Sequence, residues 1–539
     1  MSTEGELPED HGRTVREAIS RNVVLDMAGR VGYLVSRFFI PPFVLAHVSL
    51  EAYGLWATAF IVVSYIGVST MGISNVNVTF VAEYTARRQY DRANRLLSTG
   101  LLVTVPICAA VFGLVWLLWP RLVDALKISA DLRGDAKVVV LAVVGIFLAS
   151  SSLSTFRDAL AGAQKGVEIQ ISWIAGYVLE CALIFTLVGM GRGIRGLAEA
   201  FLVRTAVEIV LSAWLAYRAL PWLRLSPSLY SREAVGVLWS YGGVVQLTSL
   251  MAVALNSIER AIAVPLAGLQ AAGLLDIGQK LPSMASSVPS AFANAFTPAA
   301  SYLRGGLDGT PAERETIHKL FLKGARYMNL TTGYLCGFMA AIAQPMLDVW
   351  VGKRYDGAAY LMTVFSVTWQ VHLMTAPGTS LLKGMGKPQG EFHYAIPNAI
   401  AALVFIPLSF LILGQWTAVG IGTGVAAATI VSAIYFLWYS TRALGVQGSV
   451  FVRRVVVPGF VPYAVGALFT IPAYALVSPE HRWTSAAIVI AMGTVYTVLM
   501  AVIVDRRIFD EGERLWFRAI ASNAVAKLRR TPRVQVTSR

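Results

Sequence analysis

Apolar stretches of about 20 residues, separated by short polar segments, recur along almost the whole chain. A helix of about 20 residues spans roughly 30 Å, the thickness of the hydrocarbon core of a bilayer, and satisfies its own backbone hydrogen bonds there. The pattern therefore predicts an all-α polytopic membrane protein with about fourteen transmembrane helices. The predicted spans 1 to 14 cover residues 22–45, 54–78, 97–119, 136–155, 169–190, 197–220, 235–264, 272–302, 325–344, 359–381, 394–414, 418–440, 456–477 and 484–504.

Composition agrees with this pattern, because 56% of the 539 residues are hydrophobic, 14% are charged and the mean hydropathy is +0.61. The net charge of +14 could suggest nucleic-acid binding, but the basic residues are dispersed among apolar spans and form no single basic face. Cys108, Cys181 and Cys336 all lie in apolar runs. We therefore expect no nucleic-acid partner, no disulfide framework and no Cys-x-x-Cys site.

Lys and Arg residues concentrate on one side of the predicted spans. With the N-terminus in the cytoplasm, the tail after Asp505 adds nine basic residues to the inside, and the loop after span 8 adds Arg304, Arg314, Lys319 and Lys323. The first 21 residues lack an apolar core and are interpreted as a polar tail, not a cleaved signal peptide. The predicted location is the inner (cytoplasmic) membrane, with both termini in the cytoplasm.

A short repeat relates two halves of the chain. The segment LEAYGLW at 50–56 matches LQAAGLL at 269–275 with an offset of 219 residues, and Asn75 falls on Asn294 at the same offset. Six spans separate the copies, so both have the same orientation, as parallel repeats about an axis along the membrane normal require. We predict two six-helix bundles related by pseudo-two-fold symmetry, plus two C-terminal helices. The cytoplasmic tail, N-lobe, C-lobe, final helix pair and basic tail are predicted at residues 1–21, 22–220, 235–440, 456–504 and 505–539.

Span 1 carries charged residues on one face. Asp26, Arg30, Tyr33 and Arg37 recur at spacings of four, three and four, which places them within about 60° of each other around a helix. Arginine offers permanently charged, multidentate donors that suit a pyrophosphate. We expect Arg30 and Arg37 to bind an anion, with Asp26 pairing Arg30 when no cargo is present. The alternative is that both arginines snorkel or tie helices together.

Other predicted spans contain ionisable groups as well, and each is a functional candidate because charge inside a bilayer is costly. Asp276 and Lys280 are four residues apart in span 8, and the alternative to a functional role is a simple intrahelical pair. Arg204 and Glu208 form the same spacing in span 6, while Glu180 in span 5 needs a partner such as Arg204. The predicted substrate-binding cations are Arg30, Arg37, Arg204, Arg260 and Lys280, and the acids for charge pairing or ion coupling are Asp26, Glu180, Glu208 and Asp276.

Two kinds of catalytic site have no signature in this sequence. The segment GMGKPQG lacks the spacing and hydroxyl of a phosphate-binding loop, so ATP hydrolysis is not expected. The six histidines are scattered and form no H-E-x-x-H arrangement, and only His372 falls within a span. We predict no catalytic residues, no metal and no cofactor.

Five segments resemble the polysaccharide transporters of the MOP flippase superfamily, the Wzx-type lipid-linked oligosaccharide flippases. They are LEAYGLW, GISNVNVTFVAEYTARRQYDRANRLLSTGL, FRDALAGAQKG, GLLDIGQKLPSMASSVPSAFANAFTPAAS and LLKGMGKPQG, in this order over roughly residues 20 to 440. Relatives of this family, including the lipid II flippases, often have a basic residue at the position of Lys280. The family usually has Tyr where this chain has Leu275.

The resemblance implies a flippase that works by alternating access and takes part in cell-surface polysaccharide biosynthesis. Its implied cargo is an undecaprenyl-pyrophosphate-linked oligosaccharide, whose tail would stay in lipid through a gap between spans 1 and 8. The implied partners are this lipid-linked oligosaccharide, membrane lipid and other polysaccharide assembly proteins.

Two other functions compete with this interpretation. A MATE-like, cation-coupled exporter of small molecules would need an acidic cavity, whereas the charged face of span 1 has two Arg and one Asp. A membrane-embedded glycosyltransferase or polymerase would need clustered carboxylates or histidines and a sizeable extracytoplasmic domain. The longest predicted outside loop, near residues 120–135, is too short for that.

Overall fold

The structure of the protein is a computed structural model that describes residues 29, 32–240, 242–243, 258–307, 311–352, 355, 357–385, 387–413, 415 and 417–515. Within these ranges the chain forms helices joined by short turns, without a β-strand. The predicted all-α membrane fold is confirmed. The first nine helices are α1 (32–47), α2 (Leu50–Ala86), α3 (Tyr90–Leu117), α4 (Trp119–Ala125), α5 (Arg133–Ser152), α6 (Thr155–Gly162), α7 (Gly166–Leu187), α8 (Gly193–Ala219) and α9 (232–240).

The remaining helices follow after a gap in the described residues. They are α10 (Ile258–Leu307), α11 (Pro311–Ala341), α12 (Ala343–Val351), α13 (Ala358–Leu373), α14 (Ala376–Gly384), α15 (Phe392–Leu413), α16 (Ala418–Ala443), α17 (Gly448–Phe451), α18 (Val457–Ala467), α19 (Thr470–Leu476) and α20 (Arg482–Ile503). Among the described residues, six helices are long and apolar enough to cross a membrane, or eight if each of two bent pairs is one span. The count of fourteen for the whole chain stays a prediction.

Two predicted loops are sharp bends within nearly continuous helical segments. Spans 7 and 8 were expected to end at 264 and begin at 272, but α10 runs through this region and bends at Gly268, whose φ is 82°. Spans 5 and 6 are likewise joined through a wide helical turn over Val188–Arg192, in which Gly191 has a φ of 84°. Glycine reaches this left-handed region without a Cβ clash, so both reversals need little connecting chain.

The chain divides into two compact units. Unit 1 contains Met1–Met284, Trp350–Phe365 and Phe392–Ser432. Its main hydrophobic core packs α2, α3 and α5 together, with buried side chains such as Leu55, Leu148 and Leu269. The first half of α10 is therefore part of the same packed core as the N-terminal helices.

Unit 2 contains Ala285–Val349, Ser366–Glu391 and Ala433–Arg539. Its α11 and α18 meet at small residues. A Cβ added at Gly333 would lie 2.2 Å from the carbonyl oxygen of Gly459, and one at Gly337 would lie 3.0 Å from the backbone of Pro462. The spacing Gly333-x-x-x-Gly337 is typical of closely packed transmembrane helices. This contact holds α18, which lies within the predicted span 13, against α11. The sequence offered no motif in that span.

Buried amides reinforce the crossing of α11 and α18. Gln370 donates from Nε2 to the carbonyl oxygen of Gly459 at 2.7 Å and to Oδ1 of Asn329 at 2.9 Å. Asn329 in turn donates from Nδ2 to the carbonyl oxygen of Val455 at 2.7 Å. These bonds satisfy backbone carbonyls next to proline-containing and wide helical turns, where the regular helical pattern is interrupted.

A substitution at this crossing tests its importance. Gly333→Ala would force α11 away from the backbone of α18, so we expect a loss of about 1–3 kcal/mol of stability, as for other overpacked cores. Gly113→Ala is the matched control, because a Cβ at Gly113 in α3 meets no atom within 4 Å. It should be neutral or stabilising by about 0.5–1 kcal/mol. Thermal denaturation in detergent measures both, and equal melting temperatures would contradict the close contact.

Candidate functional site

Two groups of ionisable side chains lie in the interior of unit 1, apart from the buried Asp158, which accepts hydrogen bonds from Ser74, Asn77 and Ser154. The first, here the arginine group, consists of Arg37, Glu180, Arg204 and Glu208 with Arg157 at its edge, on α1, α7, α8 and α6. The second, here the lysine group, consists of Tyr53, Asp276 and Lys280 on α2 and α10. Within the described residues no ion pair joins a member of one group to a member of the other. The structure thus assembles the candidates as two sites.

Arg37 lies half-buried on α1 against aromatic rings. Its guanidinium carbon is 5.0 Å from the ring centroid of Tyr33, within the range of a cation–π interaction. Tyr33 packs on Tyr177 with ring centroids 5.5 Å apart, and Tyr177 stacks on Trp173 at 5.0 Å. The spacing of four between Tyr33 and Arg37 produces this contact, as the shared helix face predicts.

Arg37 has no carboxylate within 4 Å among the described residues, and its buried Nε has no hydrogen-bond partner there. Glu180 acts on it electrostatically without forming an ion pair. Tyr33 supplies a side-chain hydrogen bond as well as its ring, so the close described partner of this permanent cation is a tyrosine and not a carboxylate.

Arg204, unlike Arg37, has two carboxylates within 4 Å. Its Nη1 donates to Oε2 of Glu180 at 3.1 Å, and its Nη2 lies 3.8 Å from Oε2 of Glu208. The side chains of Arg204 and Glu180 are only 15% and 6% exposed, so water screens this pair weakly. Arg157 approaches Oε1 of Glu208 at 3.8 Å from a 60% exposed position. The predicted pairing of Glu180 with Arg204 is present, and it joins α7 to α8.

The packing of α7 against α8 makes this pair possible. A Cβ at Gly176 would lie 3.1 Å from the carbonyl oxygen of Arg204, so glycine lets the helices approach closely. Ser212 donates to Ser172 at 3.0 Å in the same interface. Glu180 and Arg204 then face each other across a short distance because their helices cannot separate.

In the lysine group, one carboxylate oxygen serves two donors. Lys280 donates from Nζ to Oδ2 of Asp276 at 3.1 Å, and the Tyr53 hydroxyl donates to the same oxygen at 2.6 Å. Tyr53 and Asp276 are 4% and 5% exposed, whereas the Lys280 side chain is 22% exposed. The intrahelical pair of Asp276 and Lys280, considered from the sequence, is present, and Tyr53 from α2 donates to the same carboxylate oxygen.

The two copies of the sequence repeat pack against each other at this point. A Cβ at Gly54 would lie 1.9 Å from the carbonyl oxygen of Leu269, and a Cβ at Gly273 would lie 2.9 Å from the carbonyl oxygen of Leu50. The offset of 219 residues relates Leu50 to Leu269 and Gly54 to Gly273, so the two contacts are equivalent. Only glycine fits either position without displacing backbone.

Some predicted site residues lie outside the described part of the structure. They are Asp26, Arg30 and the side chain of Arg260. Their roles, like those of the other candidates, stay predictions. Sequence reasoning missed Tyr53, Tyr177 and Arg157. Tyr53 stood inside the quoted repeat, but a single tyrosine in an apolar helix gives no sign of its partner.

The described residues contain no group of three or more His, Cys, Asp or Glu side chains that could hold a metal ion. The charges of the arginine and lysine groups are instead arranged as pairs of opposite sign, with Arg37 apart. Such an arrangement can bind and release a charged group. It offers no clustered carboxylates or histidines for metal-assisted hydrolysis in this part of the chain.

No protein-family model and no curated protein sequence matches this chain. Solved structures share its fold. An inward-facing multidrug resistance MATE family transporter of the MOP superfamily aligns with a TM-score of 0.65 and 13% identity, covering 76% of this chain and 94% of its own. The lipid II flippase MurJ, in an inward closed conformation, aligns with a TM-score of 0.62 and 10% identity, covering 90% of this chain and 99% of its own.

A third similar structure is a MOP superfamily transporter from Pyrococcus furiosus Vc1, described as having a binding pocket of reverse polarity that suggests a different function. It aligns with a TM-score of 0.52 and 15% identity, covering 79% of this chain and 95% of its own. At these identities the likeness concerns the fold. The chain is a multi-pass membrane protein with the fold of MOP superfamily transporters.

The Arg204–Glu180 pair can be tested by a double-mutant cycle. Glu180→Leu and Arg204→Met should each destabilise the protein, because each leaves a buried charge without its main partner. The double variant should recover about 3 kcal/mol relative to the sum of the single changes. The exposed Arg195–Asp135 pair, with side chains 51% and 39% exposed, is the control. Its coupling should stay below about 1 kcal/mol. Unfolding in mixed micelles gives both values, and additive effects at Glu180 and Arg204 would contradict a stabilising pair.

Proposed function

We propose that this protein is a flippase that moves an anionic polyprenyl-pyrophosphate-linked oligosaccharide across the cytoplasmic membrane by alternating access. The observation that carries the proposal is the half-buried guanidinium of Arg37, which has no carboxylate within 4 Å and no hydrogen-bond partner for Nε among the described residues. A charged side chain inside a bilayer costs at least about 2.5–3.5 kcal/mol. A pyrophosphate would supply the acceptors that the described surroundings of Arg37 lack, and arginine binds such groups through parallel hydrogen bonds.

Lys280 is the second cation that we assign to the headgroup. It is the more exposed member of its pair, and its single ammonium group acts as a point charge that can be shared between Asp276 and a phosphate. Arg204 has a different proposed role. Glu180 accepts a hydrogen bond from the guanidinium of Arg204, and Glu208 lies close to it. Because Arg204 already has these partners, we assign it the role of holding α7 and α8 around Arg37, without direct binding of cargo.

The fold supports transport of a lipid-linked substrate. One of the similar structures is named a lipid II flippase, and the fold is shared over most of this chain. We propose that the headgroup enters the polar interior while the polyprenyl tail stays in lipid between spans 1 and 8. Outward movement of an anion from a negative cytoplasm is favourable by about 2.3 kcal/mol per charge per 100 mV. The membrane potential can therefore bias the cycle.

A MATE-like exporter of organic cations is the second candidate, and the similarity to MATE structures favours it. A cation site would need free acidic groups in the interior. Glu180 and Asp276 both lie 3.1 Å from a basic nitrogen, and Glu208 lies 3.8 Å from two of them. Asp158 on α6 is also buried and accepts hydrogen bonds from Ser74, Asn77 and Ser154 without an ion pair among the described residues, but it lies outside the predicted spans. Within the predicted spans, Arg37 is a described cation without a carboxylate partner, which favours an anion.

The proposal predicts where cargo accumulates. Deletion of the gene should leave lipid-linked oligosaccharide in the cytoplasmic leaflet. Wild-type protein should restore export, whereas Arg37→Ala or Lys280→Ala should reduce it at least about tenfold, because a charge-assisted hydrogen bond contributes about 1.5–3 kcal/mol. Arg37→Lys should restore export only in part, since lysine cannot bind in a bidentate manner.

The matched control for this experiment is Arg195→Ala, which removes an exposed arginine paired with Asp135. It should restore export fully. Normal distribution of the lipid in the deletion strain would refute the proposed function. Full restoration of export by both Arg37→Ala and Lys280→Ala would also refute it. Loss of organic-cation efflux in the deletion strain, with normal lipid distribution, would support the MATE-like alternative.

A further inference from the structure

Oδ2 of Asp276 accepts hydrogen bonds both from Tyr53, at the packing contact between α2 and α10, and from Lys280, a candidate binding residue. Tyr53 reaches Asp276 from α2, next to Gly54, and Asp276 follows Gly273 by three residues on α10. The contact between the two repeat copies brings these segments together at backbone distance. Separation of α2 from α10 by even a few ångströms would break the 2.6 Å hydrogen bond from Tyr53.

This contact lies at the extracytoplasmic end of both helices under the predicted orientation. In the alternating-access cycle of the proposed function, these ends part when the interior opens toward the outside. The Tyr53–Asp276 bond therefore exists while the outer side is closed and is lost when it opens. Lys280, four residues along the same helix as Asp276, stays within reach of Asp276 in either case.

Both donors act on Oδ2 of Asp276. A hydrogen bond from a neutral hydroxyl stabilises the carboxylate and draws part of its negative charge away from the ammonium group. In a poorly screened interior this effect is larger than in water. With Tyr53 in place, Asp276 holds Lys280 less tightly, so the ammonium is more available to an outside anion.

We propose that Tyr53 is a positioning residue. It makes the affinity of Lys280 for an anion depend on whether the contact between α2 and α10 at Gly54 and Gly273 is closed. When the contact is closed, Tyr53 shares Asp276 and Lys280 binds the anionic headgroup. When the contact opens, Tyr53 leaves, Asp276 takes Lys280 back, and the headgroup is released outward. This inference rests on the proposed function, in which Lys280 binds an anion.

The repeat separates this role from simple packing. The residues that pack, Leu50 with Gly54 and Leu269 with Gly273, are the same in both copies. The polar residues are not, because the positions equivalent to Tyr53, Asp276 and Lys280 are Ala272, Ala57 and Ile61. The packing residues are thus common to both copies, whereas Tyr53, Asp276 and Lys280 occur together only once, as expected if they have a role beyond packing.

The test measures binding of inorganic pyrophosphate to the purified full-length protein in lipid nanodiscs by calorimetry. Tyr53→Phe keeps the ring and removes the donor, so the affinity should fall roughly three- to tenfold. Asp276→Asn keeps an acceptor for Tyr53 and removes the charge that holds Lys280, so the affinity should rise. In the Asp276→Asn background, Tyr53→Phe should have no further effect.

Tyr496→Phe is the matched control. The hydroxyl of Tyr496 donates a hydrogen bond to the carbonyl oxygen of Tyr334 at 2.9 Å, and this variant removes it. The bond lies in unit 2, whereas Tyr53 lies in unit 1. Its pyrophosphate affinity should equal that of the wild type. An equal loss of affinity in Tyr496→Phe would show a general packing effect and overturn the assignment of Tyr53.

The outcomes separate the two proposals. If the wild type binds no pyrophosphate, or if Lys280→Met leaves its affinity unchanged, the proposed anion site is wrong. If Lys280→Met weakens binding but Tyr53→Phe does not, the anion site stands and the coupling through Tyr53 is wrong. A lower affinity in Asp276→Asn would also overturn the coupling, and this variant does not depend on correct folding of Tyr53→Phe.

Discussion

Compensation of buried charge is the constraint on which the interior of this protein depends. Water cannot solvate an ion there, so each ionised side chain must meet an opposite charge, a dipole or an aromatic face. Glu180 meets Arg204, and Asp276 meets both Lys280 and Tyr53. Arg37 meets a tyrosine ring and the more distant field of Glu180. Among the described residues, Arg204 and Lys280 therefore have a carboxylate partner within 4 Å, whereas Arg37 does not.

Glycine contacts hold the helices at the distances that these pairs need. Gly176 allows α7 and α8 to approach, and Gly54 and Gly273 allow α2 and α10 to do so. An ion pair between short-range partners then forms with little side-chain rearrangement. Between apolar helices in lipid, close van der Waals packing and interhelical hydrogen bonds replace the hydrophobic effect as the source of stability. The charge arrangement therefore depends on where the chain places glycine.

Much of the fold could be predicted from the sequence because membrane spans are long and apolar. The repeat was also visible, since its glycines and leucines are required at both copies. The bend at Gly268 was read as a loop, because a left-handed glycine inside a helical segment leaves no polar signal. The pairing of Asp276 with Lys280 followed from a spacing of four, whereas the contact of Tyr53 with Asp276 joins residues 223 apart and depends on tertiary packing. The crossing at Gly333 was missed for the same reason.

The same fold is found in transporters of different cargo, among them a MATE multidrug transporter and a lipid II flippase. Fold alone therefore does not determine what is carried. In this chain the contact between the repeat copies is made by leucine and glycine in both copies. Tyr53, Asp276 and Lys280 break the symmetry where the repeat copies meet, and under the proposed function they contribute the selectivity for an anion.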